Sequence, residues 1–138
     1  MRNRVIIMLL AVSLFGVACG KGGRINASSN RTLYRSVTVI KDRLPEKERV
    51  EFEVAFWSLK QSEPDQAKFR DTVDGKGVEE IIAMGKENFV KRKAAGDEQY
   101  KRYASWDELI QGLVAEREAM RVYGRSGKDE ANQLKFNR

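Results

Sequence analysis

Three observations predict an all-α fold. Apolar residues recur at three- and four-residue spacing through the long segments after residue 29, the spacing of one helix face. Proline and glycine fall where those stripes stop, at Pro45, Pro64, Gly96 and Gly124. Ser105 and Glu108 stand three apart just ahead of an apolar run, the spacing of a helix-opening capping box. Together they predict a compact bundle of four to five short helices with antiparallel neighbours.

The first helix is expected over about 30–43, opened by Ser28 or Ser29. Leu33, Val37, Ile40 and Leu44 line one side of it. Pro45 ends that helix and opens the next, because its missing N–H is harmless in a first turn. Glu46 and Glu48 suit the positive end of the second helix dipole. Phe52, Ala55, Phe56 and Leu59 form its stripe, with Val50, Val54 and Trp57 beside them. Residues 50–54 also alternate like a strand, but residues 55–60 break the alternation, so helix is preferred.

Pro64 leads into a short third segment, about 65–73, with Ala67, Phe69 and Val73 apolar. Asp74, Gly75, Lys76 and Gly77 read as a turn. A fourth helix follows over about 78–95, with Ile81, Ile82, Phe89 and Met84 or Gly85 on its face. Gly96 suits the left-handed position that stops it. The last helix starts at the Ser105 box and carries Leu109, Ile110, Leu113, Val114 and Met120. Gly124 is expected to end it, and residues 125–138 read as a frayed polar tail.

The start of the chain has a different character. Arg2 and Arg4 precede a largely apolar run over residues 5–15, and small residues follow up to Cys19, the only cysteine. A charged start, an apolar stretch and a small-residue cut mark a secretory signal. The cysteine at the cut resembles a bacterial lipoprotein signal, which implies that Cys19 becomes the lipid-bearing first residue of the mature chain. Gly16 departs from that pattern, where Leu or a similar residue is usual, and Val17 and Ala18 fit it. Two other readings compete. A plain signal peptide cut near Ala18 would leave an unpaired thiol in an oxidising compartment. An uncleaved anchor would be shorter than the roughly 20 residues a spanning helix needs.

The expected organisation is a lipoprotein signal at 1–18, a lipidated Cys19 and flexible tether at 19–29, a helical domain at 30–124 and a tail at 125–138. Residues 20–28, fully extended, would reach at most about 30 Å. Gly20 after the cysteine, in place of the Asp of inner-membrane retention, implies the outer membrane, facing the periplasm.

Composition narrows the function. The 138-residue chain has no histidine, which removes histidine-based catalysis and histidine metal sites. With Cys19 carrying lipid, thiolate chemistry is absent as well, and an internal disulfide is impossible. The net charge of +6 falls to +4 when Arg2 and Arg4 leave with the signal. The excess is spread along the chain, unlike the concentrated stripe of a nucleic-acid binder. No nucleic acid, cofactor or metal is expected as a ligand.

Ile25, Asn26, Ala27, Ser28 and Ser29 directly after the tether carry a resemblance, together with Leu44 and Pro45, Phe52, Asp74, Gly75 and Lys76, and the pair Ile81 and Ile82. Over about residues 19–95 the chain resembles a family of small bacterial lipoproteins with no assigned activity. Asn26 and Gly77 depart from the family pattern, where Asp and a Thr cap are usual. The resemblance implies a lipid anchor and a helical fold only.

Four clusters remain as candidates. Asp71, Val73 and Asp74 look faintly like a calcium loop, but Val73 occupies a ligand position. Lys91, Arg92 and Lys93 can meet phosphate, or simply stabilise a helix C-terminus. The pairs Glu79 with Glu80 and Asp107 with Glu108 lie in first turns, where acids are favoured regardless of chemistry. Tyr100, Tyr103 and Trp106, with Lys101 and Arg102 among them, suit a partner-binding hot spot or the packing of a connector. The expected role is a non-enzymatic, membrane-anchored envelope module that binds another envelope protein or is structural. The alternative is a periplasmic inhibitor or immunity protein against a toxin or hydrolase.

Overall fold

The computed structural model describes residues 23–136, and for residues 125–136 their backbone alone. The signal at 1–18, Cys19 and the first part of the tether lie outside the described residues. Among the described residues the fold is all-α. Its helices are α1 (Asn30–Asp42), α2 (Glu46–Ser62), α3 (Gln66–Val73), α4 (Val78–Ala94), α5 (Glu98–Lys101) and α6 (Trp106–Phe136).

The expected stops and starts operate through identifiable bonds. Ser29 Oγ accepts from the Thr32 N–H at 3.2 Å and Thr32 Oγ1 accepts from the Ser29 N–H at 2.9 Å, which closes a reciprocal cap on α1. Asp65 caps α3 by accepting from Ala67 and Lys68. Gly96, at φ +81°, ends α4. Its N–H bonds the Lys93 carbonyl and the Asp97 N–H bonds the Arg92 carbonyl, the paired bonds of a Schellman motif. Residues 50–54, ambiguous by pattern, are helical within α2.

The core has two aromatic groups. Phe52, Phe56 and Phe69 are fully buried, and the Phe56 and Phe69 rings meet edge to face at 5.3 Å. Phe89 packs edge to face on Tyr100 at 5.6 Å and on Trp106 at 5.9 Å. Leu33, Val37, Ile40 and Leu44 are buried as their spacing predicts.

Neighbour direction differs from expectation. α1 and α2 are antiparallel: Tyr34 stacks near Trp57 while Lys41 pairs with Glu53. The central pair, α2 and α4, runs in one direction. Ala55 faces Gly85, Ser58 bonds Asn88 and Gln61 bonds Arg92. The short α3 makes this possible by carrying the chain back before α4 starts.

Residues 24–29, the end of the expected tether, are bonded to the domain. The N–H of Ile25 donates to the Lys76 carbonyl and its own carbonyl accepts from the Gly75 N–H, both at 2.9 Å. Ala27 donates its N–H to Asp74 Oδ1 at 2.7 Å. The Arg24 guanidinium bonds the Gly75 carbonyl and the Glu80 carboxylate. Ile25 and Ala27 are buried in the core. The physical cause is their apolar side chains: burying one Ile side chain stabilises by about 1.5–3 kcal/mol, which offsets the entropy of ordering a few residues. This strap runs along the α3–α4 turn as a single extended layer.

The end of the domain also differs. α6 continues past Gly124 to Phe136. Gly124 lies outside the positive-φ region that a terminating cap requires. A glycine inside a helix is less favourable than Ala by about 1 kcal/mol, a cost that α6 carries at Gly124.

Candidate functional site

α6 starts beside a close contact between α2 and α4. Gly85 leaves room there for Ala55, and the Trp106 ring closes the gap. The Trp106 indole N–H donates to Glu51 Oε1 at 2.8 Å. The start of α6 is capped as the sequence predicts, with one shift. Ser105 Oγ accepts from the Glu108 N–H, but Glu108 reaches back to the Ala104 N–H. From this point α6 passes across α2, and its residues 115–124 are exposed.

The divergence of α2 and α6, with α5 against one end, opens a groove of about 440 Å³. Val54, Leu109 and Leu113 form apolar floor. Trp57 and Met120 flank it and are 48% and 64% exposed. Gln61, Gln99, Arg102 and Glu116 supply polar groups around them. The Arg102 guanidinium lies 4.8 Å from the centre of the Tyr103 ring. This volume suits a small ligand or a cluster of inserted side chains.

One wall is held by a charge network. Glu53 accepts from Lys41 at 2.9 Å and from Arg117 at 2.7 Å, which ties α1, α2 and α6 together. Burial pushes the Glu53 carboxyl up, but the hydrogen bonds and charges of Arg117 and Lys41 outweigh it, so its pKa lies below the ordinary 4.5. A lowered folded-state pKa adds stability above the unfolded value, and that stability is lost as the pH falls through the folded value. Glu53→Gln should therefore lower stability at pH 7 by about 1 kcal/mol. Urea unfolding across pH should show the gap to wild type closing below 4.5.

The three aromatic residues that the sequence groups line two different hollows. Tyr100 and Tyr103 line the groove, with Tyr100 otherwise buried against Phe89. Trp106 is a core residue, and its remaining accessible edge faces a second hollow on the other side of α4. The groove therefore holds the two tyrosines and not Trp106. The cause is the Glu51 acceptor, which turns the indole towards α2. Trp57 and Met120 are the site residues that the sequence analysis did not single out. The available signal was that Phe52, Ala55 and Phe56 already complete the buried stripe of α2, leaving Trp57 beside it.

Most of the remaining candidates have structural partners. Lys91 pairs with Glu87 and Arg92 with Asp97. Lys93 donates to the Tyr103 and Ala104 carbonyls and so fixes the α5–α6 connection. Asp74 receives the strap. Glu80 accepts from the Gly77 N–H and pairs with Arg24 and Lys76. Among the described residues no three His, Cys, Asp or Glu side chains gather where they could hold a metal ion. No described helix is long and apolar enough to cross a membrane. Comparison with family models, curated proteins and solved structures finds no significant match to this chain.

Proposed function

We propose that this chain is a small lipid-anchored protein of the bacterial envelope that works by binding and not by catalysis. Cys19 carries the anchor, at the outer membrane and facing the periplasm. The observation that carries the binding role is the groove between α2, α5 and α6, where Trp57, Tyr103, Arg102 and Met120 surround an apolar floor. Tryptophan, tyrosine and arginine are the residue types that dominate binding hot spots, because each couples a large contact area to a polar tip. A protein partner that inserts apolar side chains fits this arrangement.

The test is a crosslinked pull-down from intact cells, with a Trp57→Ala, Tyr103→Ala variant beside wild type. One partner lost in the variant supports the reading, and a Val90→Ala variant in the opposite hollow should retain it. Equal recovery from both variants would remove the groove from the account. A toxin or hydrolase as the captured partner would specify an inhibitor or immunity protein. Trp106→Ala is a poor probe, because it disturbs the core. For the anchor, Cys19→Ser should abolish palmitate labelling and release the protein from membranes; unlabelled wild type would overturn it.

A further inference from the structure

This inference rests on the lipid anchor proposed at Cys19 and concerns which edge of the domain the anchor holds against the membrane. The tether reading allows about 30 Å of slack. The strap removes about half of it. Ile25 is pinned through its backbone to Gly75 and Lys76, and Arg24 through its side chain to Gly75 and Glu80. Gly23, just ahead of them, is exposed and takes φ +90°, a turn that glycine makes readily. Only four residue steps separate Cys19 from Gly23, a covalent reach of at most about 14 Å.

We propose that the edge built from the strap and the α3–α4 turn is the membrane-facing edge of this domain, and that its partner is the phospholipid headgroup surface. The edge presents Arg24 and Lys76, whose side chains are 69% and 39% exposed. Both cations share one carboxylate, Glu80, and Asp74 beside them is engaged by the Ala27 N–H. Asp74, Glu79 and Glu80 are all exposed on this edge, so it is the reach of the anchor and not a net positive charge that sets it against the headgroups. The α5 wall of the groove lies at the other end of α4. From Glu79 to Ala94 is fifteen residues of helix, about 22 Å. The groove's α5 end is thus carried away from the anchored edge by the length of α4.

Glu79 and Ala94 are both exposed, so each can be replaced by cysteine and spin-labelled while Cys19 is acylated. The full lipidated chain is reconstituted in phosphatidylethanolamine and phosphatidylglycerol vesicles that carry gadolinium-chelating headgroups. The label at residue 79 should be relaxed more strongly than that at 94. A long Gly-Ser insertion between Gly22 and Gly23 should shrink the difference. Equal relaxation at the two positions, or the reverse order, without the insertion would overturn the assignment and leave the anchor intact. Vesicle binding that survives Cys19→Ser would overturn the anchor, and this inference with it.

Discussion

Gly85→Ala is expected to destabilise the folded chain by about 1–3 kcal/mol, despite the better helix propensity of alanine. A methyl group at residue 85 would stand 2.4 Å from Ala55 Cβ, 2.6 Å from Ala55 Cα and 3.3 Å from the Trp106 ring. The first two distances are far inside van der Waals contact. The third closes the direction in which the helices could slide. Two helix backbones must therefore separate, and the buried surface of both aromatic groups is loosened with them. Urea unfolding should show a lower midpoint with an unchanged slope. Two companions make the result specific. Ala55→Gly in the same chain should recover only part of the loss, because the Cα clash remains. Gly112→Ala, whose new methyl meets only a Tyr103 ring atom at 4.0 Å, should stabilise by up to about 1 kcal/mol. Equal stability of Gly85→Ala and wild type would mean that α2 and α4 are not in this close contact.

Ile25→Ala should destabilise by about 2–5 kcal/mol, the range for truncating a buried Ile. The side chain is 2% exposed, and the same residue is bonded through both its N–H and its carbonyl to the α3–α4 turn. A truncated side chain leaves a cavity that the pinned backbone cannot collapse to fill. A free tether would give no change at all, so thermal or urea unfolding separates the two descriptions directly. Asn26→Ala is a useful neighbour. Asn26 is exposed, and its side chain accepts one bond, from the Ser28 N–H, so its loss should be near the value of one exposed hydrogen bond, about 1 kcal/mol or less.

These two sites also mark where sequence reasoning reached and where it stopped. Helix boundaries were legible because local chemistry sets them. Pro45, the Ser29 cap, the Gly96 stop and the Ser105 box act within a few residues of themselves. The buried face of α1 was legible for the same reason, since its spacing is periodic. The strap was not, because the glycines before it suggest freedom and its partners lie about fifty residues away. A trace existed: Ile25 and Ala27 alternate with Arg24 and Asn26, as a half-buried extended segment does. Gly85 read as one candidate for a face, and only a second helix gives its missing side chain a purpose. The groove was the least legible feature. It arises where α2, α5 and α6 meet, and no single segment encodes that meeting. Tyr100 and Tyr103 were found by their type and Trp106 was grouped with them by proximity in sequence. Trp57 was hidden inside a pattern that looked like core.

The shared direction of α2 and α4 has a consequence for how the chain reaches its fold. Antiparallel helices joined by a short loop meet early, since few residues must be ordered to bring them together. Here the central pair joins residues about thirty apart, as Ser58 and Asn88 are. α3 and its flanking turns must be placed before that interface can close. Folding speed follows the average separation of contacting residues more than the type of secondary structure. This all-helical domain should therefore fold more slowly than an up-and-down bundle of its length.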